Sequence, residues 1–263
     1  MGIHNSVLPK SVTAETVLQV HHWTGHLFSF RLSRPDGFRF RSGEFVMIGL
    51  PGETRPILRA YSLASPCWDD GLDFYSIKVA DGALTSRLQK IRVGDTVLLG
   101  KKPTGTLVLD ALLPGRTLYL LSTGTGLAPF ASILRDPDTY DRFDTVVLAH
   151  TCREVGELAY GKMLVEDLKN DPLIGEFANR LTYFGSATRE PHIHQGRITD
   201  LIASGEFFQT IGEEVFDRTR DRVMICGSMN MIQDTRSLVV DAGLTEGSNS
   251  MPGEFVVEKA FVD

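Results

Sequence analysis

The chain has 263 residues, 42% hydrophobic and 23% charged, the composition of a globular protein made of one large domain or two of ordinary size. No apolar stretch approaches the ~20 residues that cross a bilayer, and nothing near residue 1 has the basic start and apolar run of a secretory signal, so a cytoplasmic enzyme is expected rather than a membrane or secreted protein. The net charge of −6 is unevenly placed: residues 1–112 carry +3 and residues 113–263 carry −9, which points to two units with different surfaces, with no nucleic-acid partner expected. The three cysteines, Cys67, Cys152 and Cys226, lie far apart, so neither a disulfide framework nor a Cys-x-x-Cys metal site is expected. A plant-type iron–sulfur cluster needs closely spaced cysteines and is not expected either. His21-His22 and His192-Ile193-His194 lack further residues at ligand spacing and read as surface histidines, so no metal is expected.

From Val12 to Val108 short apolar or alternating runs are broken by turn residues: Thr16–Val20, Leu27–Leu32, Phe45–Leu50, Asp73–Ile77 and Thr96–Leu99. Strands at this spacing predict an antiparallel barrel, with Leu84–Ile91 as its one helix. Within it, Arg59-Ala60-Tyr61-Ser62-Leu63 reads as extended, so that Arg59, Tyr61 and Leu63 point one way and Ala60 and Ser62 the other. It offers a cation, a flat ring and a small hydroxyl. Ile77-Lys78-Val79 reads as a buried strand, and Asp81-Gly82 turns the chain into Leu84-Thr85-Ser86, a helix start suited to phosphate. A domain boundary is expected at Leu112-Leu113-Pro114-Gly115, where the periodicity changes.

Beyond it strands alternate with helices. Thr117–Ser122, Thr145–Ala149, Leu181–Phe184 and Val223–Cys226 are strand-length apolar runs, and Phe130–Leu134, Tyr160–Lys169, Ile198–Ser204 and Met231–Ala242 are helix candidates. The alternation predicts an α/β domain with a parallel sheet, which binds ligands at the carboxyl ends of its strands. The first strand runs into Thr123-Gly124-Thr125-Gly126-Leu127-Ala128-Pro129-Phe130, a glycine turn opening a helix whose free N–H groups suit a pyrophosphate. It lacks the third glycine of the common dinucleotide fingerprint. Arg153, Arg189 and Arg197 follow strand ends or start a helix, and arginines there favour a 2′-phosphate over a 2′-hydroxyl. Glu154 and Glu157 lie near enough to leave NADH open.

Together, the Arg-x-Tyr-Ser segment, the Gly-x-Leu-Thr-Ser helix start and the Gly-Thr-Gly-x-Ala-Pro-Phe turn resemble the ferredoxin–NADP reductase family, and the bacterial branch best. The resemblance implies an FAD-binding barrel over residues 1–112 and an NADP-binding α/β domain over residues 113–263, whose tail returns to the flavin. It implies FAD contacts from Arg59, Ala60, Tyr61, Ser62, Leu63, Ile77, Lys78, Val79, Leu84, Thr85, Ser86 and Thr125. NADP contacts are implied for Thr123, Gly124, Gly126, Arg153, Thr188, Arg189, Arg197, Cys226, Gly227 and Met231. In Cys226-Gly227-Ser228 it places a thiol beside the nicotinamide.

Plant-type members end in an aromatic residue that stacks on the flavin. Here the matching residue is Ala260, and the chain runs on through Phe261 to Asp263. The resemblance implies that Ala260 faces the isoalloxazine, that Phe261 stacks on the adenine of FAD, and that Glu258 is the carboxylate near the flavin's N5. Tyr61, Ser62, Cys226, Glu258 and Ala260 are therefore the expected catalytic set. The implied activity is exchange of electrons between NADPH, a two-electron donor, and ferredoxin or flavodoxin, one-electron carriers that dock near the flavin on the more basic N-terminal domain; a monomer is expected. The same motifs fit the reductase component of an oxygenase or a flavin or quinone reductase, and a non-catalytic flavoprotein module would keep the fold alone.

Overall fold

The computed structural model describes residues 9–52 and 55–259, so Ala260 and Phe261 lie outside the described residues. In the first half, strands β1 (Val12–His22), β2 (Leu27–Ser33), β3 (Phe45–Leu50), β4 (Ile57–Ser62), β5 (Gly71–Ile77) and β6 (Thr96–Gly100) form one antiparallel sheet in the order β4-β3-β6-β1-β2-β5. The sheet curls because alternate residues share an interior: Phe28, Phe30 and Leu32 of β2 meet Ile48, Leu72, Phe74, Val97 and Leu99 in one core, with Phe30 stacked on Phe74 at 5.2 Å. Its end strands β4 and β5 approach without pairing along their length, leaving a seam that Tyr61 Oη and Ser76 Oγ span at 3.2 Å.

Two expectations are corrected here. The strand expected through Ile77-Lys78-Val79 ends at Ile77, and Val79 is exposed. The helix expected over Leu84–Ile91 is a single turn, α1 (Thr85–Leu88), because Gln89 caps it and the chain must turn back to Val93–Asp95 before β6.

The second half is a parallel sheet in the order β11-β10-β7-β8-β9, from β7 (Thr117–Thr123), β8 (Thr145–Cys152), β9 (Leu181–Ala187), β10 (Asp221–Gly227) and β11 (Phe255–Lys259). Helices α2 (Leu127–Leu134) and α4 (Ala159–Leu168) cover one face, and α5 (Ile198–Ala203), α6 (Glu206–Ile211) and α7 (Met229–Asp241) the other. A short helix, α3 (Pro137–Arg142), follows α2. Neither α3 nor α6, each of six residues, is foreshadowed by the hydrophobic periodicity.

Helix α2 explains how the halves meet. All eight of its residues are buried, as expected of a helix apolar all round. It packs on β7 and β10 of its own sheet and on the barrel's outer residues Leu27, Ala64, Tyr75 and Ile77. Polar contacts lock that packing: Ser132 Oγ donates to the Ser65 carbonyl at 2.6 Å, Gly43 N–H donates to Ser132 Oγ at 3.3 Å, and Arg135 donates to the Ala64 carbonyl and pairs with Asp73. The glycine turn that starts α2 therefore lies in the seam between the halves.

Candidate functional site

A cavity of about 560 Å³ opens at the β4/β5 seam. Its walls are Arg59, Ala60, Tyr61 and Ser62 of β4, Tyr75, Ser76 and Ile77 of β5, the turn Val79 and Gly82–Thr85, and Thr125 and Ala128 from the second half. Since the seam lacks a strand ladder, the cavity wraps the free edge of β4, and neighbouring residues line it together instead of alternating. As expected of an alternating strand, Tyr61 and Leu63 both pack on the barrel core, but Leu63 is not part of the cavity wall. Its N–H donates to the Glu44 carbonyl, continuing the ladder to β3, and its side chain is fully buried in the barrel core. Lys78 is also off the wall: its ammonium donates to the Thr24 carbonyl at 2.7 Å. Ser86 lies behind the wall, its N–H bonded to the Gly82 carbonyl, whereas Leu84 and Thr85 face the cavity. Burial raises the Tyr61 phenol's pKa, so its ring presents a neutral face.

A second cavity, of about 510 Å³, lies at the carboxyl ends of the parallel strands. It is lined by Thr123, Gly124 and Thr125 after β7, Cys152, Arg153 and Glu157 after β8, Thr188 and Arg189 after β9, and Arg197, Ser228, Asn230 and Met231 at helix starts. Two glycines have distinct tasks in the turn. Gly124 has φ +53, in the left-handed region where a Cβ is strained, and a Cβ on Gly126 would stand 2.3 Å from the Cys226 carbonyl oxygen. Gly227 and Cys226 are thus the floor behind the turn, not its lining.

Backbone pairing brings two arginines together at the cavity rim. Thr188 N–H donates to the Cys152 carbonyl at 3.0 Å and Arg189 N–H to the Arg153 carbonyl at 2.9 Å, so Arg153 and Arg189 stand side by side, with Arg197 across the cavity. Among the described residues none of the three guanidinium groups forms an ion pair. Glu157, by contrast, is engaged: it accepts from Arg153 N–H at 2.9 Å and Glu154 N–H at 3.2 Å in a capping box. Three unpaired cations and an occupied carboxylate suit an anion.

Cys226 is fully buried in the core under α2 and reaches neither cavity wall; burial, then the nearby Glu258, raise its thiol's pKa well above the ordinary value. Its register partner on β11 is Glu258. The Glu258 carboxylate crosses to the first half, where Oε2 accepts from Thr106 N–H at 2.9 Å. Burial, the largest influence, and the Glu44 carboxylate push its pKa up to about 7 against the hydrogen bonds from Thr106 and Leu107. Ser62 pairs with Phe45, which bridges Thr104, two residues before the Thr106 that holds Glu258.

Sequence reasoning missed Tyr75, Ser76 and Ala128 in the first cavity and Ser228 and Asn230 in the second. Ser228 had a usable signal, a serine between a strand and a helix: it is the N-cap of α7 and accepts from Met231 N–H. His150 was also missed. It is fully buried on β8, and burial lowers its pKa to about 4. Its Nε2 lies 3.1 Å from the Gly124 carbonyl, while Nδ1 has no partner among the described residues, an omission worth about 1–3 kcal/mol in a buried group.

The decisive feature is that Ile77 and Thr125 line both cavities, so the two adjoin. Residues 16–108 match the oxidoreductase FAD-binding domain and residues 120–237 the oxidoreductase NAD-binding domain. A flavodoxin/ferredoxin–NADP reductase of Rhodobacter capsulatus is 57% identical over 97% of this chain and 94% of its own. The chain belongs to the bacterial ferredoxin/flavodoxin–NADP reductase family. A ferredoxin–NADP reductase of Pseudomonas aeruginosa is 49% identical over 97% of this chain and 99% of its own. The crystal structure of the ferredoxin NADP+ reductase from Neisseria gonorrhoeae, which holds FAD and NADP, superimposes with a TM-score of 0.87 at 31% identity and covers 96% of this chain and 100% of that one. As a member of this family the chain is an oxidoreductase that uses FAD and NADP(H), with an antiparallel flavin domain followed by a parallel-sheet nucleotide domain.

Proposed function

We propose that the reductase exchanges electrons between NADPH and ferredoxin or flavodoxin at the junction of its two cavities, where Ile77 and Thr125 are common wall. That shared wall carries the reading, because hydride passes over a few ångströms and needs the two rings face to face. The first cavity suits a flavin: about 560 Å³ is within the range of cofactor pockets, one wall is the Tyr61 ring, and the Arg59 guanidinium stands at its exposed end. Tyr61 would cover one face of the isoalloxazine, with Ser62 as a small hydroxyl beside it, and Arg59 with the N–H groups of Leu84 and Thr85 would hold the pyrophosphate. In the second cavity the Gly124–Gly126 turn holds the NADP pyrophosphate, and Arg153, Thr188, Arg189 and Arg197 hold the 2′-phosphate. For Ala260 over the open flavin face and Phe261 on the adenine, the family resemblance is the support.

FAD, when bound, supplies the switch between two-electron and one-electron chemistry; the chain's own part is to orient and to move a proton. Glu258 does the latter. With a pKa of about 7 it holds a proton below that pH and has lost it above. Electron flow from the carrier to NADP+ consumes one proton per NADPH formed, so its rate is expected to fall as pH rises through about 7, and Glu258→Gln to flatten that limb. A steady-state pH profile checks this, and an unchanged limb in the glutamine variant would remove Glu258 from the proton path.

We place the domain boundary between residues 112 and 113. The redox partner docks near the flavin on the first domain, whose +3 charge complements an acidic carrier. The protein acts as a cytoplasmic monomer; among the described residues no helix is long and apolar enough to cross a membrane.

A further inference from the structure

β8 is a core strand, and Val146 and Leu148 on its inner face are apolar neighbours of α2 and α4. Position 150 continues that face with an imidazole. The surroundings are shaped around it. Its strand partner is Gly185, over which the Tyr183 ring folds, and a Cβ on Gly161 of α4 would stand 2.9 Å from His150 Nδ1 and 3.1 Å from Tyr183 Oη. Two glycines therefore clear the space that the imidazole and the phenol occupy, and neither Nδ1 nor Tyr183 Oη has a partner among the described residues. On the other side, Nε2 meets the Gly124 carbonyl at 3.1 Å and Cys152 Sγ at 3.2 Å.

A carbonyl can only accept, so the contact is a hydrogen bond when the proton sits on Nε2, and Nδ1 is then the bare acceptor facing Tyr183. The backbone donor to the Gly124 carbonyl, Leu127 N–H, belongs to the turn itself. His150 is thus one tie of this left-handed residue to β8, the Cys152 thiol, which hydrogen-bonds the Gly124 backbone, being another. We propose that His150 is a positioning residue for hydride transfer: its Nε2–H pins the Gly124 carbonyl, fixes the glycine turn and so places Thr125 in the wall common to the two cavities. The inference rests on the reading of those cavities given above. Burial keeps the imidazole neutral at working pH, and the adjacent Cys152 thiol, pushed up to about 12 by burial, is neutral as well, so the bond needs no counter-charge.

The test uses the FAD-loaded protein with His150→Leu, which fills the space without a donor, and His150→Gln, whose amide N–H can reach where Nε2–H stood. At saturating NADPH the leucine variant is expected to reduce its flavin roughly 10- to 100-fold more slowly, because a turn displaced by an ångström misplaces the ring that stacks on the flavin. The NADPH dissociation constant should change by less than about threefold, and the flavin spectrum should lose the perturbation caused by bound NADP+. The glutamine variant should recover both rate and spectrum to within about fivefold of the parent. A parent-like leucine variant, or a glutamine variant as slow as leucine, overturns the inference. Nitrogen-15 NMR of the unmutated holoprotein tests it without any substitution: a neutral ring protonated on Nε2 from pH 6 to 8 is expected, and a proton on Nδ1 overturns it. A parent whose flavin NADPH does not reduce would overturn the reading of the cavities themselves, whereas a reducible parent beside an unimpaired His150→Leu would overturn this inference alone.

Discussion

Replacing Arg153 and Arg189 together by alanine is expected to weaken NADPH binding by roughly 10²–10³-fold while changing NADH binding by less than about threefold. Each charge-assisted contact to a phosphate is worth about 1.5–3 kcal/mol, and the lower end applies because both side chains are exposed and screened. Two such contacts give about 3 kcal/mol, or a little over two decades. The backbone bond from Arg189 N–H to the Arg153 carbonyl survives both substitutions, so the rim keeps its shape and the loss reports charge. Glu157 cannot step in for NADH selectivity, since its carboxylate is held by two backbone N–H groups. Titration of each variant with both nucleotides checks this, and equal losses would show that the pair does not read the 2′-phosphate.

Gly126→Ala is expected to have an effect of similar size on a different quantity. The added Cβ would stand 2.3 Å from the Cys226 carbonyl oxygen and 3.0 Å from Gly227 N, both backbone atoms of a central strand that cannot rotate aside. Something must shift, and the turn between the cavities is the softer partner. Overpacking of this kind costs about 1–3 kcal/mol, which for a chain of this size lowers Tm by roughly 2–10 °C. Flavin reduction by NADPH should fall about 100-fold or more, because Thr125 moves with the turn. FAD should stay bound, since β4, β5 and the turn through Val79 and Gly82–Thr85 supply most of the first cavity and are untouched. A variant that keeps the parent rate and melting point would show that Gly126 is free to move.

The parts of the site that were legible in the sequence are those written in one short segment. Gly124-Thr125-Gly126 is legible because a left-handed residue and a close backbone approach both demand glycine there, and Arg153 and Arg189 because each lies just beyond a strand. The antiparallel and parallel halves were legible from a change of period. What was not legible depends on which elements meet. Tyr75 and Ala128 join the first cavity because α2 lies across β5, and no local pattern states that. Lys78 reads as a cofactor contact in sequence, yet in the fold its ammonium donates to the Thr24 carbonyl. Leu63 reads as a cofactor contact in sequence, yet in the fold it is fully buried in the barrel core. His150 reads as one more residue of a buried strand until Gly124 is placed beside it.

The central claim is that the two cavities hold their rings face to face across Ile77 and Thr125. It is tested most directly by rapid anaerobic mixing of the FAD-loaded protein with NADPH and with NADPH carrying deuterium at the transferred position. The flavin's visible band is expected to bleach in a single turnover, and deuterium to slow the bleaching while leaving the nucleotide's dissociation constant unchanged. Tight NADPH binding with the oxidised flavin band persisting would contradict it, because the nucleotide would then occupy its own cavity without bringing its ring to the flavin.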